Sequence, residues 1–445
     1  MKFRKFGKTV LTAALASAIA FSLSSCVTSF TSGYIYVTGT VTATPTGNGI
    51  ISGFKIDNNT GKLTTMHGLP VSSGGANPVR AVLLAGGRFV YVLNQGTPTN
   101  GKFPCNANNP CLNSNVTEFV VGGNGVLTAQ GTFYTQGSNP IRMVSDTSGN
   151  YLYILDHDAP SGQYCGTIVT GATECGDITV FKVDGTTGRL SLVSNAQLTA
   201  SSGSSVTYFP LPADPIDLVL ASGYVMTLNG AAGSAQTVYP YGYSSSSGQL
   251  TVSQSAPQVI NNGSGSPVSQ ATAIVYAARI YVLDNEAITV TSNSSTTTSP
   301  SQVLPFTIGT NGALQSQTGG AVPGDPTEAN PIYLISESKG KFVYVANQSG
   351  ASASSGSGIA GYVVDPASSQ LSLIAGEPFP TGSNPQCLLE DPSNQFIYTA
   401  NANDSTVTGR VIDPNSGVLN PMHGSTGVFP LNGPASWCVA TGRTN

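Results

Sequence analysis

Seven short segments of this chain repeat one strand-like pattern, and this repetition restricts the possible folds more than any other feature of the sequence. Each segment combines aromatic and β-branched residues, which favour strands, and ends at Asn, Asp or Gly. FVYVLN, YLYILD, FVYVAN and FIYTAN are examples. Such repetition indicates one supersecondary unit that is copied along the chain. The segments are residues 34–39, 89–94, 151–156, 224–229, 280–285, 342–347 and 396–401.

Each segment is followed by the same succession of elements. After a loop comes a second strand-like run, then a tight turn that leads to Leu, as in NTGKL at 59–63, and all but one of these turns contain Gly. A fourth run usually starts at a Pro, as in NPVRAVLLA at 77–85. Two stacked sandwiches would not generate a sevenfold repeat. The sequence therefore predicts an all-β fold, a seven-bladed β-propeller of four-stranded antiparallel blades.

The last run, GPASWCVATG at 433–442, has nothing after it. Because the chain begins partway through a blade, we expect this run to supply the innermost strand of the first blade. The ring would then close without an open sheet edge at the seam.

The N-terminus has the features of an export signal. A basic start is followed by a short apolar stretch at 9–21, and LSSC at 23–26 resembles the lipobox of bacterial lipoproteins. That resemblance implies cleavage before Cys26 and lipid attachment to its thiol; a plain secretory signal with an incidental Cys is the alternative. We expect a signal peptide at 1–25, a lipidated tether at 26–33 and one propeller domain at 34–445, held at a membrane of the cell envelope, either the outer membrane or a periplasm-facing surface.

Six further cysteines are an even number in an exported protein, which favours disulfides. Cys105 and Cys111 share one loop, Cys165 and Cys175 share another, and Cys387 and Cys438 remain by elimination. The last pair would staple the ring's seam, although its spacing from the neighbouring prolines would point both side chains the same way. No C-x-x-C sequence supports zinc, and we expect no metal and no other cofactor.

The charge balance limits the partners. Charged residues make up 9% of the chain, the formal net charge is −4, and no basic stretch follows residue 10. Nucleic-acid binding therefore has no electrostatic basis. We expect a monomer.

The repeated YVLN, YILD, YVAN and YTAN, with Asn-Pro or Asp-Pro before the inner strand, resemble the YVTN-type, lactonase-like seven-bladed propellers. The resemblance spans residues 34–442 and is specific for fold rather than activity. It implies hydrolysis of a sugar or related lactone at the mouth of the central channel. Catalytic members typically carry His around the Pro that opens an inner strand, whereas this chain has Asn, Val, Ile and Arg there.

The long connections all fall on one face of the predicted disk, which we call the insertion face; the opposite side is the short-turn face. Long irregular loops in a compact fold are usually functional. The insertion-face loops are residues 95–114, 157–175, 199–214, 286–300 and 348–358.

The inner strands place a ring of side chains near the channel mouth. Arg80 and Arg142 lie in adjacent blades and could bind a carboxylate or another anion, while an ion pair between Arg142 and Asp217 of the next blade is the alternative. We place in this ring the residues two positions after each Pro: Arg80, Arg142, Asp217, Ser269, Tyr333, Cys387 and Ser436.

A second candidate group follows the repeated strand of the third blade, where Asp156, His157 and Asp158 leave towards the insertion face. His157 between carboxylates could act as a general base or a metal ligand, or the group could simply hydrogen-bond the start of the loop. Asp284 and Glu286 occupy the matching place in blade five. His67 and His423 are expected on outermost strands, far from the channel.

Two functions follow. The one we favour is a binding module whose insertion face takes a protein, glycan or small molecule, with Asp156, Asp217, Asp284, Glu286 and Tyr333 as ligand contacts. The alternative is a lactone hydrolase in which Arg80, Arg142, His157 and Asp158 are catalytic. Aromatic contacts for the binding role would come from Tyr164, Tyr208, Phe209, Tyr239, Tyr241 and Tyr243.

Overall fold

The computed structural model describes most of the chain beyond its N-terminal segment. The described residues are 30–41, 48–84, 86–101, 105, 109–168, 170–199, 202–252, 257–292, 295–317, 320–350 and 356–442. The expected signal peptide and Cys26 lie outside them. Seven antiparallel sheets form the blades of a propeller, which confirms the predicted fold.

Each blade runs from an inner strand at the channel to an outer edge at the rim of the disk. In that order the strands are, in blade 1, Ala435–Gly442, Thr31–Thr40, Asn48–Asp57, Leu63–Thr65 and Val71–Ala76; in blade 2, Pro78–Leu83, Phe89–Asn94, Asn115–Val121 and Leu127–Tyr134; in blade 3, Ser138–Ser145, Tyr151–Asp158, Gly176–Val183, Leu190–Leu192 and Phe209–Leu211; in blade 4, Pro215–Ala221, Tyr224–Asn229, Thr237–Tyr243, Leu250–Val252 and Gln258–Val259.

The remaining blades follow the same order. They are, in blade 5, Ala271–Tyr276, Ile280–Asp284, Gln302–Ile308, Leu314–Ser316 and Val322–Pro323; in blade 6, Glu328–Ser336, Phe342–Gly350, Gly358–Val364, Leu371–Leu373 and Phe379–Pro380; in blade 7, Pro385–Glu390, Phe396–Asn401, Thr406–Ile412, Leu419–Asn420 and Val428–Pro430. The loops and turns contain two β-ribbons, Thr97–Pro98 with Cys111–Leu112 and Ile288–Ser292 with Ser295–Ser299. They also contain short helical turns at Gly162–Tyr164, Cys165–Ile168 and Thr310–Gly312.

The outer edge of most blades differs from the prediction of four strands. In blade 3, Leu190–Leu192 and Phe209–Leu211 pair with opposite ends of the same third strand. An inserted loop divides the fourth strand there, and the same division occurs in every blade except blade 2, which keeps the continuous strand Leu127–Tyr134. The described blades therefore contain four or five strands each.

The ring closes as the sequence predicts. Thr31–Thr40 pairs with Ala435–Gly442, so the two ends of the described chain share one blade. A disulfide between Cys387 of blade 7 and Cys438 of blade 1 crosses the seam with a Cα–Cα distance of 5.9 Å. The loop disulfides Cys105–Cys111 and Cys165–Cys175 are also present. Three disulfides indicate folding in an oxidising compartment outside the cytoplasm.

Five inner strands begin with the same backbone device. Asn or Asp before the Pro adopts a left-handed conformation, which these two residue types tolerate better than most. A register shift then follows between the Pro and the second residue after it. This bulge explains why the sequence repeats Asn-Pro or Asp-Pro at the channel. The left-handed residues are Asn77, Asn139, Asp214, Asn330 and Asn384.

The helical segments in the described part of the chain are all too short to cross a membrane.

Candidate functional site

The ring at the channel is set by pairing with the second strand of each blade. Arg80, Arg142 and Asp217 each face a Leu of that strand, the Leu that directly precedes Asn94, Asp156 and Asn229 respectively. The same register in blades 5 and 1 selects Ala273 and Trp437.

The predicted ring positions Ser269 and Ser436 are therefore wrong. In blade 5, Pro267 and Val268 still belong to the preceding outer segment, where the Val268 amide donates to the Ile260 carbonyl at 2.9 Å. In blade 1, Ala435 takes the place that Pro has elsewhere. Counting from the terminal residue of the second strand, rather than from Pro, would have found the correct residues. With the same one-residue correction, the side chains of Cys387 and Cys438 point in opposite directions around the ring, which allows their disulfide.

Arg142 and Asp217 form an ion pair across blades 3 and 4, which is the alternative that the sequence offers for them. Nε and Nη2 of Arg142 donate to the two carboxylate oxygens in a bidentate arrangement, and both side chains are buried. Asp217 also accepts from the Ile274 amide of blade 5 at 3.0 Å and from the Leu218 amide at 2.8 Å. Although burial alone would lower it, the charge and hydrogen bonds of Asp217 raise the pKa of Arg142. This pair ties three blades together.

Arg80 lacks such a partner. Among the described residues no carboxylate forms an ion pair with it; Nη1 donates only to the Val79 carbonyl, and its buried Nε has no hydrogen-bond partner. Its guanidinium stacks 4.1 Å from the ring centroid of Trp437. Burial and the neighbouring charge of Arg142 lower the pKa of Arg80 to about 9.

A cavity of about 510 Å³ follows the channel from this ring to the short-turn face. Arg142, Tyr333 and Trp437 form its floor, with the rings of Tyr333 and Trp437 packed edge to face at 4.8 Å. Its walls are mostly apolar. Ser145, Tyr276, Ser336 and Glu390, at the ends of inner strands, surround its mouth.

The second candidate group is assembled on the insertion face of blade 3. Nδ1 of His157 lies 2.8 Å from Oδ1 of Asp158, and Nε2 lies 4.0 Å from a carboxylate oxygen of Asp214. Asp158 also accepts from the side-chain amide of Asn139, whose own oxygen accepts from the Cys111 amide. The His157 side chain is 37% exposed and that of Asp158 is 24% exposed.

The electrostatics of this group favour a charged carboxylate beside the imidazole. The hydrogen bond that His157 donates to Asp158 raises the pKa of His157 against the opposing effect of burial. Burial would raise the pKa of Asp158, but the hydrogen bonds of His157 and Asn139 and the charge of His157 outweigh it, and that pKa is lowered. Asp158 therefore holds the imidazole with Nδ1 as donor and leaves Nε2 as the nitrogen that can accept a proton.

A cleft of about 290 Å³ adjoins this group. Asp158 and Glu174 line it, together with Pro110 beside the first loop disulfide and both cysteines of the second, Cys165 and Cys175. The two disulfide loops are thus walls of one concave site. The long insertions gave the only sequence signal for this cleft.

Asp156 is fully buried rather than available to a ligand. It faces Asp177 across the strand pair, and the Thr179 hydroxyl donates to Asp156 at 3.1 Å. One oxygen of each carboxyl group has no hydrogen-bond partner. Burial raises both pKa values well above the usual range for Asp, and neighbouring carboxylates add to it, Asp158 for Asp156 and Asp156 for Asp177.

Asp284 and Glu286 stabilise the loops of blade 5. Buried Asp284 accepts from the Gln302 side chain at 2.7 Å, and burial raises its pKa to about 6. Glu286 accepts from the amide and hydroxyl of Ser269, both at 2.6 Å. Neither acid forms a hydrogen bond or an ion pair with His157 among the described residues.

The aromatic contacts expected on the insertion face are mostly core. Tyr208, Phe209 and Tyr241 are buried, and Tyr239 and Tyr243 pack against the core between blades 3 and 4. Tyr164 is half-buried against Tyr208 at 6.3 Å between ring centroids. His67 and His423 are exposed and lie just after outermost strands, Leu63–Thr65 and Leu419–Asn420, rather than on them. Within the described part of the chain, no cluster of three or more His, Cys, Asp or Glu is placed to hold a metal ion.

Known proteins support the fold more strongly than the chemistry. A family model described as "Lactonase, 7-bladed beta-propeller" matches residues 300–429, and no curated protein is detectably similar. The structure of the periplasmic gluconolactonase PpgL of Pseudomonas aeruginosa is similar, with a TM-score of 0.63 and 17% identity, covering 93% of this chain and 100% of that one.

Two further structures show the same similarity. A Bacteroides fragilis protein provisionally described as a 6-phosphogluconolactonase has a TM-score of 0.62 and 16% identity over 92% of this chain and 98% of that one. Its counterpart from Bacteroides uniformis has a TM-score of 0.63 and 14% identity over 93% and 100%. The predicted resemblance to lactonase-like seven-bladed propellers is confirmed at the level of fold.

Proposed function

We propose that this protein is an exported lactone hydrolase whose general base is His157 on the insertion face. The main support is the His157–Asp158 contact, which fixes Nδ1 and leaves Nε2 at a partly exposed edge. In lactone hydrolysis a base takes a proton from water while the water oxygen attacks the ring carbonyl. The ring C–O bond then breaks as the protonated base returns the proton to the leaving ring oxygen, which gives a hydroxy acid. Asp158 would orient the imidazole and stabilise its protonated form.

The site differs from the one predicted from the sequence. Arg142 is committed to Asp217, and neither it nor Arg80 forms a hydrogen bond or an ion pair with His157 among the described residues. The proposal therefore assigns roles to two residues, His157 as the base and Asp158 as the carboxylate that orients it. The proposed substrate site is the adjoining cleft, which Asp158 and Glu174 line; His157 lies beside the cleft, not in its lining.

Export is the second part of the proposal. The disulfides fit an oxidising compartment, and we place the protein in a bacterial cell envelope, anchored by lipid at Cys26 after removal of residues 1–25. We also propose that the protein is a monomer and has no nucleic-acid partner. A periplasmic or surface location favours unphosphorylated lactones as substrates over the phosphorylated lactones of cytosolic sugar metabolism.

The test is hydrolysis of a panel of aldonolactones and acyl-homoserine lactones by the purified protein, followed by acid release against a buffer blank. The proposal predicts saturable turnover of at least one class. A folded protein that hydrolyses none of them would instead support a non-catalytic binding module, the second candidate. The observation that favours that candidate is the cleft whose walls two disulfides fix.

A further inference from the structure

The central cavity combines an apolar wall with a cationic floor, and the proposed lactonase does not use it. Its walls include Val82, Met143, Val219, Ile274, Leu389 and Val439. Its volume, about 510 Å³, lies within the range of small-molecule sites. The cavity opens at the short-turn face, whereas His157 lies on the insertion face.

The charge at the floor is unbalanced. In the ring around the floor, Arg80 and Arg142 bring two positive charges and Asp217 brings one negative charge, while the other ring positions, Ala273, Tyr333, Cys387 and Trp437, are neutral. Arg142 lines the cavity itself, whereas Arg80 acts through its stack on Trp437, which lines the floor. One positive charge therefore has no counterion among the described residues of the ring. Arg80, which carries the excess charge, is half-buried, and a charge partly removed from water without a counterion is costly, so an anion at the floor would be stabilised.

The donors at the floor suit a carboxylate. Asp217 occupies Nε and Nη2 of Arg142, and no described residue accepts from Nη1. Arg80 lies within 4.1 Å of the Trp437 ring centroid and Arg142 within 5.5 Å, so both guanidinium groups surround one indole. A monoanion matches the single excess charge better than a phosphate monoester, which carries more than one charge at neutral pH.

We propose that this cavity binds a monocarboxylate with an unbranched apolar tail, such as a medium-chain fatty acid. The carboxylate lies at the floor beside Arg142 and the Arg80–Trp437 stack, and the tail extends between the inner strands towards Ser145 and Tyr276. Three strand residues separate the ring from the mouth, a depth of about 10 Å. This inference does not depend on the proposed lactonase activity.

Trp437 provides a direct signal because it is the chain's one tryptophan and it contacts the cavity. Decanoate, kept below its micelle-forming concentration, is titrated into the purified protein while indole emission is recorded, with decanol and acetate as parallel titrations. We expect saturable one-to-one binding of decanoate, binding of decanol weaker by at least tenfold, and no response to acetate. Equal binding of decanol, or an emission that decanoate leaves unchanged, would overturn the proposal.

Variants test the charge. Arg80→Gln should weaken decanoate binding at least tenfold, and Arg80→Lys should restore part of it. Arg88→Gln is the matched control, because Arg88 also stacks on an aromatic ring, that of Phe89, but away from the channel. Unchanged affinity in Arg80→Gln would contradict the proposal.

A chain-length series decides the question even if the Arg80 variants do not fold. In the wild-type protein, affinity should rise about fourfold per methylene from hexanoate to decanoate as the tail fills the channel. An affinity that is independent of chain length would exclude an apolar tail in the cavity.

Discussion

Asp156 and Asp158 are two residues apart, yet their surroundings move their pKa values in opposite directions. Asp158 receives hydrogen bonds from His157 and Asn139, which lower its pKa against the effect of burial. Asp156 is fully buried against Asp177, and its pKa is raised. Side chains two residues apart lie on the same face of a strand, so position along the strand makes the difference. Asp158 ends the strand beside the cleft, whereas Asp156 lies opposite Asp177 inside the blade. The sequence LDHD shows three titratable groups but not which of them is accessible.

At this scale the first prediction concerns the pH profile. If His157 is the base, kcat/KM should rise with pH through an apparent pKa above 6.5, the ordinary value for His, because the imidazole must be neutral and Asp158 raises its pKa. Asp158→Asn should move this limb to lower pH and reduce the maximal rate about 100-fold or more. The check is kcat/KM from pH 5 to 9 for both proteins. A limb that stays in place in the variant would separate Asp158 from the base.

The buried acid pair gives the second prediction. Blade 2 has Asn94 and Asn115 where blade 3 has Asp156 and Asp177, and there the side-chain amide of Asn94 donates to Asn115 at 3.0 Å. Asp177→Asn should therefore raise the free energy of unfolding at pH 8 by about 1–3 kcal/mol. A carboxyl group whose pKa is raised by folding makes the folded protein less stable as pH rises above the pKa of that group in the unfolded chain. The stability gained in Asp177→Asn should therefore be smaller at pH 4 than at pH 8.

Urea unfolding at the two pH values measures this effect. Asp184→Asn is the control, because Asp184 is exposed and hydrogen bonds of its turn lower its pKa, so it should show no gain that grows with pH. A destabilised Asp177→Asn protein at pH 8 would show that a further group stabilises the buried pair in its charged form.

At the scale of elements, neighbouring blades are joined by the repeated strand and the glycine turn. The aromatic residue that opens a second strand packs on the turn Gly of the next blade, as Phe342 does on Gly417. In blades 1, 2, 6 and 7 the Tyr two positions later donates its hydroxyl to the carbonyl of that same Gly, as Tyr344 does at 2.7 Å. The aromatic–Gly pairs are Tyr34–Gly125, Phe89–Gly188, Tyr151–Gly248, Tyr224–Gly312, Phe342–Gly417 and Phe396–Gly61.

The exception follows the same rule. Blade 5 has Arg279 in the aromatic position, and the turn of blade 6 has Ser369 in place of Gly, still with a positive φ of 62°. Gly is therefore retained at the turns that pack against a ring, and is replaced where the preceding blade offers none.

A pair of alanine substitutions separates backbone strain from this packing. A Cβ on Gly417 would lie 2.5 Å from Cδ1 of Phe342, whereas a Cβ on Gly340 would meet no atom within 4 Å; their φ angles are 76° and 69°. Gly417→Ala should thus lower the free energy of unfolding by about 1–3 kcal/mol more than Gly340→Ala. Urea denaturation of the two variants measures the difference, and equal losses would argue against the packing.

Sequence reasoning succeeded where one signal was repeated seven times and failed where a single bulge mattered. The blades, the closing strand and the three disulfides follow from repetition and cysteine count. The ring positions in blades 5 and 1 were missed because Pro was used as the reference point, although Pro267 belongs to the preceding segment. The pairing of Arg142 with Asp217, and the unpaired state of Arg80, depend on the distance between blades, which no sequence pattern encodes.

At the scale of the whole molecule, the seam is where the ring could open. Strand pairing, the Cys387–Cys438 disulfide and the hydroxyl of Tyr398, which donates to the Gly61 carbonyl at 2.6 Å, all cross it. The two cysteines of the seam disulfide are 51 residues apart in the sequence, whereas those of the two loop disulfides are 6 and 10 residues apart.

This difference in loop length gives a prediction about stability. Replacing both seam cysteines by Ala should lower the free energy of unfolding by about 4 kcal/mol, and replacing either loop pair by about 2–3 kcal/mol, because the longer loop restricts the unfolded chain more. Denaturant midpoints of the three double variants give the order. A seam variant that is as stable as the loop variants would mean that strand pairing alone closes the ring.

The most direct test of the central claim compares two of the chain's three histidines. His157 contacts Asp158 on the insertion face, whereas His423 is exposed beyond an outermost strand. With the best lactone of the panel, kcat/KM is measured for the wild-type protein, His157→Ala and His423→Ala, each verified as folded by its circular dichroism spectrum. We predict a loss of about 100-fold or more in His157→Ala and wild-type activity in His423→Ala. Full activity in His157→Ala would contradict the assignment of the base and of the site.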